Sequence, residues 1–312
     1  MSAPNGAIRV GGRCLLDAGP SERGWHRVET FLRCPQLYAY KYLLGSLDAP
    51  VEGLEDSADP LERGAMGHIG MAHHYARLHA SQRGEDPDAF HTPESAVALL
   101  GERKGWQRWI PLASAAVAAY AARYAMDRLE ILDVEEVYSA WVGAGPGSPR
   151  YLYTQRADLA ARFPDGKIRI LDHKFLSRVD SASLKAYSVS GQFLGLAHFG
   201  RARWGDAFGG VLVNAIVVGG LDPTTGAGTT TFRRAAPPPA PWAAYCHPLA
   251  VKDAEEEIAK LAASGRSPWE YPKRLNEAIC RGRYGFCGGH ALCALGPTDE
   301  QRAQSSSQRR NP

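Results

Sequence analysis

Two neighbouring stretches of the sequence carry carboxylates and an ammonium group on residues that a β-hairpin would bring together. Asp158 lies in the first stretch, and Asp172, His173 and Lys174 lie in the second. Because side chains alternate along a strand, Asp172 and Lys174 share one face, and Asp158 can lie beside them across the ladder. Two carboxylates beside an ammonium group suit a hard divalent cation and an activated water. The same spacing is also typical of a solvated strand face with an incidental ion pair.

Further metal ligands are available upstream of this hairpin. His68 falls in a predicted helix, where a neutral imidazole can bind a metal. His73 and His74 follow closely, so spacing does not choose among the three histidines. Glu135 and Glu136 stand at the start of a predicted strand, and a carboxylate there can join the same metal. A glutamate at a strand entry is more often simply solvated.

The six cysteines form the second group of residues that could do chemistry. Three of them lie close together near the C-terminus: Cys280, Cys287 and Cys293. Three thiolates can surround one soft metal centre, and the fourth ligand can be Cys34 or His290. Four thiolates suit a [4Fe–4S] cluster or structural zinc, whereas His290 would give a Cys₃His zinc site. Unligated thiols are the remaining alternative, and Cys14 and Cys246 have no partner pattern.

The elements that must position these groups follow from periodicity and turn chemistry. Apolar spacing predicts helices first and a cluster of strands afterwards. The turn Pro164-Asp165-Gly166 predicts the hairpin of strands 151–163 and 167–175. The predicted helices are 31–44 after a Thr30 N-cap, 61–80, 111–129, 183–199 and 251–263. The other predicted strands are 134–142, 209–218 and 229–234, the last pairing with 209–218. This order predicts an α/β or α+β core with an N-terminal helical part.

Composition excludes several classes of protein. The chain of 312 residues is 45% hydrophobic and has a formal net charge of +3. It is therefore neither wholly disordered nor collagen-like, and its charge alone does not indicate nucleic-acid binding. No apolar run reaches the roughly 18 residues of a membrane span, and the first residues lack the apolar core of a signal peptide. We expect a cytoplasmic protein with a flexible lead-in at 1–28, a single domain at 29–295 and a disordered tail at 296–312.

Taken in order, the motifs resemble the PD-(D/E)XK nuclease superfamily, in its RecB-like and Cas4-like branch with an iron–sulfur cluster. The motifs span about residues 30 to 295. The resemblance depends on their order along the chain more than on any single motif. The motifs are Cys34-Pro35 followed by aromatic residues, Gly64 with His68, Glu135-Glu136-Val137, Arg156-Ala157-Asp158-Leu159, Ile170-Leu171-Asp172-His173-Lys174, Gln192, and the three C-terminal cysteines.

The resemblance implies a restriction-endonuclease-like core, a mixed sheet flanked by helices, and a role for each matched residue. His68, Asp158 and Asp172 would bind Mg²⁺ or Mn²⁺, with the carbonyl of His173 as a further ligand. Lys174 would be the catalytic lysine. Gln192 would orient the site or the nucleic-acid backbone.

The resemblance also implies a [4Fe–4S] cluster that ties the two ends of the domain together. Its ligands would be Cys34, Cys280, Cys287 and Cys293. The family's tyrosine four residues after the glutamine is Leu196 here, and Tyr187 is a candidate substitute. Glu136 is a candidate further ligand of the divalent metal.

The activity that the resemblance implies is a metal-dependent DNA nuclease, most simply an exonuclease that acts on single strands or ends. Such chemistry serves phage recombination, DNA repair and CRISPR adaptation. The chain has no Walker A motif, so any helicase would be a separate partner. Phosphate contacts are expected from arginines near the motifs: Arg178, Arg201, Arg203, Arg281 and Arg283. The alternative is a non-catalytic nucleic-acid-binding protein stabilised by a metal or cluster.

Overall fold

The structure of the chain is a computed structural model. It describes residues 7–16, 19, 21–45, 59–143, 149–221, 228–274, 276, 280–282, 285–287, 289, 292–293 and 296. Arg283, His290 and residues 297–312 of the predicted tail lie outside the described residues, as does part of the predicted lead-in. The chain divides into two compact units: Met1–Gly24, Asp59–Trp141 and Leu152–Pro248 form the first, and Trp25–Ala58, Val142–Tyr151 and Leu249–Pro312 form the second.

The first unit is built on a five-stranded mixed sheet flanked by helices. Its strands are β3 (Glu130–Val142), β4 (Tyr151–Arg162), β5 (Ile168–Leu176), β6 (Phe208–Leu221) and β7 (Gly228–Ala235). They lie side by side in the order of the chain, with β5 and β6 parallel and the pairs β4/β5 and β6/β7 antiparallel. A separate hairpin is formed by β1 (Ala7–Val10) and β2 (Arg13–Leu16). The predicted α/β fold class is thereby confirmed.

Several helices of the described residues accompany this sheet. They are α3 (Asp59–Gln82), α4 (Pro93–Lys104), α5 (Ile110–Arg123), α6 (Ser181–Ser188) and α7 (Gly191–Trp204). The main core lies between α3, α5 and one face of the sheet, where Tyr75, Tyr120, Leu171 and Ile216 are buried. On α3, His73 is fully buried and its Nε2 accepts the backbone N–H of Leu16 at 2.9 Å.

Most predicted elements of this unit are present, with some exceptions. The predicted flexible lead-in at 1–28 contains the β1/β2 hairpin, and the helix predicted over 111–129 ends at Arg123. The predicted hairpin and the pairing of 229–234 on the preceding strand are confirmed. The helix predicted over 183–199 is two helices, because extended backbone at Ser190 separates α6 from α7. The helix α4 was not predicted, although Thr92 caps it by accepting the backbone N–H of Ser95 and Gly105 ends it with a positive φ of 73°.

The second unit contains α1 (Trp25–Arg33), α2 (Pro35–Tyr38), a π-helical turn at Ala39–Leu43 and a short hairpin of β8 (Arg281–Gly282) with β9 (Gly285–Phe286). The prediction of one helix over 31–44 with a Thr30 N-cap is wrong, since Thr30 lies within α1 and the helix breaks at Cys34. Proline disfavours helical backbone in the residue before it, and Cys34 is extended, with φ −162° and ψ 112°. The helix α8 (Pro241–Ala263) includes the predicted segment 251–263 but begins ten residues earlier.

Candidate metal centre

The candidate metal centre lies where β4 and β5 stop pairing. The antiparallel register runs from Arg162↔Ile168 to Leu159↔Leu171. At the next step, the backbone N–H of His173 donates to Asp158 Oδ2 at 2.7 Å instead of to a strand carbonyl. A side-chain carboxylate thus replaces a ladder bond. Asp158 and Asp172 are the residues just beyond the last pair of this register, where β4 and β5 separate.

Three side chains from three elements offer ligand atoms close together. His68 from α3, Glu135 from β3 and Asp158 from β4 each place one ligand atom within 4.8 Å of the others. His68 Nδ1 lies 3.4 Å from Asp158 Oδ2. An imidazole nitrogen with two carboxylate oxygens is a donor set that suits Mn²⁺ and Mg²⁺ better than a soft metal.

The local backbone of β3 selects Glu135 over Glu136 for this group. Glu135 has a φ of 52°, in the left-handed region that residues other than glycine rarely adopt. Buried positions are odd-numbered before it, as at Ile131, and even-numbered after it, as at Tyr138. This change of parity is typical of a β-bulge, which re-aims a side chain next to a functional site. Glu136, the glutamate singled out as a candidate ligand, faces outward and is exposed, so the structure does not place it in the group.

A second chain of contacts joins the residues of the hairpin to α7. Lys174 Nζ lies 2.6 Å from Asp172 Oδ2 and donates to Gln192 Oε1 at 3.2 Å. Gln192 Nε2 donates to Asp172 Oδ1 at 2.7 Å. Asp172, Lys174 and Gln192 therefore hold one another in a closed ring of polar contacts. Tyr187 from α6 packs its ring on Phe193, and Lys174 Nζ lies 5.7 Å from the same Phe193 ring.

Burial controls the charges of this centre. It raises the pKa of Glu135 well above its usual range, and the nearby Asp158 raises it further. Burial also raises the pKa of Asp172, against the opposing effect of Lys174. For Lys174, burial lowers the pKa, but Asp172 and Asp158 outweigh it, so the ammonium group stays protonated. Without a metal ion, the carboxylates Glu135, Asp158 and Asp172 outnumber the single ammonium group of Lys174. The raised pKa values of Glu135 and Asp172 mean that bound protons offset part of this excess negative charge.

The donor set fits a divalent cation. Asp172 is 1% exposed, and its Oδ2 lies 2.6 Å from the Lys174 ammonium. Each carboxylate oxygen has two lone pairs, so this oxygen can bind a divalent cation as well as Lys174. We therefore regard His68, Glu135, Asp158 and Asp172 as the residues that could hold Mg²⁺ or Mn²⁺.

Helix α7 is fixed against β4 by side chains that the sequence did not single out. Gln155 is 4% exposed, and its Nε2 donates to the backbone carbonyl of Gln192. Tyr153 donates to Gln155 Oε1 at 2.8 Å. A Cβ at Gly195 would lie 2.0 Å from Gln155 Oε1 and 2.5 Å from the Tyr153 hydroxyl. Gln155 thus sets the position of the first turn of α7, from which Gln192 reaches Asp172 and Lys174.

The side chain of His173 points to the opposite face of β5, as alternation predicts. It stacks on Tyr75 with an interplanar angle of 4°, and its Nδ1 lies 2.6 Å from Asn214 Nδ2. Asn214 Nδ2 also donates to the Tyr120 hydroxyl, which accepts from Arg234. Burial lowers the pKa of His173 to about 3. The imidazole is therefore neutral, and only the backbone of His173 takes part in the candidate centre.

The second unit brings together the four cysteines predicted to share a metal centre. Cys34, Cys280, Cys287 and Cys293 line one cavity, with Lys273 and Arg274 also among its walls. All four are free thiols. Four thiols on one cavity are a donor set that suits a soft metal centre, either zinc or an iron–sulfur cluster.

Polar groups of the second unit also point at these thiols. The backbone N–H of Gly289 donates to Cys287 Sγ, and Cys293 Sγ lies 3.9 Å from the hydroxyl of the buried Tyr40. Burial raises the pKa of Cys287 and of Cys293, so both are protonated thiols near neutral pH unless a metal displaces the protons.

Comparison with known proteins identifies the family. The family model of the PD-(D/E)XK nuclease superfamily matches residues 25–294, and the chain belongs to this superfamily. No curated protein matches the sequence significantly. Among solved structures, the crystal structure of SSO0001 is similar at 15% sequence identity and a TM-score of 0.30, covering 83% of this chain and 95% of that one. Among the described residues, no helix has both the length and the apolar character that a bilayer crossing needs.

Proposed function

We propose that the protein is a Mg²⁺- or Mn²⁺-dependent DNA nuclease that hydrolyses phosphodiester bonds, acting as an exonuclease on single strands or ends. Membership of the nuclease superfamily supports the hydrolysis of a polynucleotide. The observation that carries the proposal is the closed ring of Asp172, Lys174 and Gln192 beside the ligand group of His68, Glu135 and Asp158. A surface with incidental charges would not bury Asp172 to 1% exposure.

A divalent cation in this centre would activate water and stabilise the negative charge that develops on the phosphate. His68, Glu135, Asp158 and Asp172 are the residues that would hold it. The backbone N–H of His173 donates to Asp158 Oδ2 and so fixes the orientation of the Asp158 carboxylate.

Lys174 is the group of this chain that acts on the reacting phosphate in the proposed mechanism. Its ammonium stays protonated because of Asp172 and Asp158, so it can donate to the phosphate and stabilise charge in the transition state. Gln192 accepts a hydrogen bond from Lys174 at Oε1 and donates one from Nε2 to Asp172. It therefore keeps the two charged groups in a fixed relative position. Gln192 is thus a positioning residue.

The four cysteines support a [4Fe–4S] cluster as a structural cofactor. The donors are all sulfur, and they share one cavity. Cys34 comes from the segment between α1 and α2, whereas the other three come from the C-terminal segment. A cluster would join parts of the second unit that are far apart in sequence, and closing such a loop stabilises the folded state.

The proposal is tested by anaerobic purification followed by a cleavage assay on the same sample. We expect a broad visible absorbance from thiolate-to-iron charge transfer, four irons per chain, and cutting of end-labelled single-stranded DNA that requires Mg²⁺ or Mn²⁺. Lys174→Ala should abolish cutting while DNA binding remains. Lys167→Ala is the matched control, since Lys167 is exposed just before the same hairpin strand and its Nζ donates to the backbone carbonyl of Asp206.

Two outcomes would contradict the proposal. Cutting by Lys174→Ala at the wild-type rate would remove the assigned catalytic group. A colourless, zinc-loaded protein that binds DNA but does not cut it would favour the alternative function, a non-catalytic nucleic-acid-binding protein. If the protein cuts DNA, product analysis on 5′- and 3′-labelled substrates distinguishes exonuclease from endonuclease action. Parallel RNA substrates test the choice of DNA.

A further inference from the structure

A chain of buried polar side chains ends at His173, on the face of β5 opposite Lys174. Asn214 is the partner of His173 in the parallel register of β5 and β6, and it is fully buried. Its Nδ2 donates to His173 Nδ1 at 2.6 Å and to the Tyr120 hydroxyl at 2.9 Å. Burying polar groups in a sheet interior costs free energy even when they are paired, so this chain has a task beyond packing. The proposed mechanism does not use it.

Arg234 on β7 fixes the orientation of the Asn214 amide. Its Nε donates to Asn214 Oδ1 at 3.4 Å, and its Nη2 donates to the Tyr120 hydroxyl at 2.6 Å. Because a guanidinium can only donate, the amide turns its oxygen to Arg234 and its nitrogen to His173. Arg234 is held in turn by an ion pair with Asp127. The His173 ring therefore meets a donor at Nδ1, and its proton is on Nε2.

His173 connects this chain to two of the candidate metal ligands. Its backbone N–H donates to Asp158 Oδ2 at 2.7 Å, and its ring centroid lies 6.3 Å from that of His68. The ring also stacks on Tyr75. Within the described parts of the chain Nε2 is buried without a hydrogen-bond partner, so Nδ1 is the ring atom that a hydrogen bond holds. Loss of Asn214 would free the ring to rotate and would loosen the residue that orients Asp158.

We infer that Asn214 is a positioning residue of the metal centre, which holds the His173 ring so that the His173 peptide orients the Asp158 carboxylate toward a divalent cation. The inference rests on the proposed nuclease function and adds to it a residue that touches neither the cation nor the phosphate. Groups that orient metal ligands in this way typically contribute about ten- to a hundredfold to metal affinity or activity. Asn214 should therefore affect metal binding and the chemical step more than DNA binding.

The experiment compares three variants of the whole chain with the wild type. Asn214→Ala removes the amide, and Tyr120→Phe removes only the hydroxyl beside it. Ile216→Val is the matched control, because Ile216 is fully buried on the same face of β6 and its side chain cannot form a hydrogen bond.

Four measurements are made on each protein. Calorimetry gives the affinity for Mn²⁺ alone, and cleavage of single-stranded DNA at saturating Mn²⁺ gives kcat and KM. Circular dichroism melting verifies that each variant is folded. In metal-free protein labelled with ¹⁵N-histidine, NMR shows which ring nitrogen of His173 carries the proton, with the His173 signals assigned from their loss in His173→Gln.

For the wild type we expect His173 to carry its proton on Nε2 alone. Asn214→Ala should weaken Mn²⁺ binding about tenfold and lower kcat about tenfold, with little change in the KM for DNA. Its His173 should show both neutral tautomers, since no donor then selects Nδ1 as the acceptor. Tyr120→Phe should keep the Nε2–H form and weaken Mn²⁺ binding less, because Arg234 still holds the amide. Ile216→Val should lower the melting temperature and otherwise behave as the wild type.

A folded Asn214→Ala variant with wild-type Mn²⁺ affinity and kcat would overturn the inference, as would equal losses in Ile216→Val. If Asn214→Ala does not fold, a wild-type His173 with its proton on Nδ1 would overturn the inference independently, because that nitrogen could not accept from the amide. A wild-type protein that binds Mn²⁺ but cuts no polynucleotide would instead refute the proposed function. The two failures are thus distinguishable.

Discussion

Replacing Gly195 by alanine tests whether the position of α7 controls the proposed chemistry. Gly195 contacts none of the groups proposed to bind the cation or the phosphate. Its added Cβ would lie 2.0 Å from Gln155 Oε1, about 1.4 Å closer than an ordinary contact, so α7 or Gln155 must move by about that amount. Gln192 lies one turn earlier on the same helix and would move with it.

The expected cost is large for a change of one methyl group. Displacing a positioning residue by about 1 Å lowers a catalysed rate by about 100-fold. Overpacking of this kind costs about 1–3 kcal/mol of folding free energy, so the variant should remain folded at low temperature. We expect Gly195→Ala to lower kcat about 100-fold and to change the KM for single-stranded DNA much less.

The assay is single-turnover cleavage of an end-labelled oligonucleotide, with thermal melting followed by circular dichroism. Ala202→Gly is the matched control because Ala202 is exposed on the same helix. This change destabilises α7 by about 1 kcal/mol of helix propensity without touching Gln155. It should lower the melting temperature and leave kcat within about threefold. A folded Gly195→Ala variant with a wild-type kcat would refute the reasoning.

Three further changes test separate parts of the structure. Glu135→Gln should weaken Mn²⁺ binding at least tenfold in a calorimetric titration, whereas Glu136→Gln should leave it unchanged; equal effects would reject the assignment of Glu135. Cys280→Ser should abolish the visible absorbance and lower the melting temperature by several degrees, while Cys246→Ser should preserve both; a Cys280→Ser protein with full iron content would exclude this thiol as a ligand. Burial lowers the pKa of His73 from 6.5 to about 4, so its stabilising effect is complete above pH 6.5 and is lost as the pH falls towards 4. Replacing His73 by glutamine should therefore reduce the loss of unfolding free energy between pH 6.5 and 4 by up to about 3 kcal/mol, and an unchanged loss in denaturant titrations would contradict this.

Local patterns predicted the hairpin and the part of the site that lies on it. The turn at Pro164-Asp165-Gly166 fixes the register of β4 and β5, and alternation then places Asp172 and Lys174 on one face. Both rules depend only on residues close in sequence. The break at Cys34 could also have been predicted, since the proline after it disfavours helix at that position.

Other features depend on contacts between distant segments. The choice of Glu135 over Glu136 follows from one positive φ in β3, which an alternation pattern does not reveal. Gln155 resembles any polar residue of a strand until α7 packs against it at Gly195.

The sequence by itself determined the family, the carboxylates and lysine of the hairpin, and the set of cysteines that could share a metal. These depend on residue types and on their order along the chain. Only the tertiary structure decided which glutamate joins His68 and Asp158, and how Gln192 is held. The physical reason is that packing between elements far apart in sequence sets side-chain direction and burial, and these determine whether a charged group is a ligand or a solvated residue.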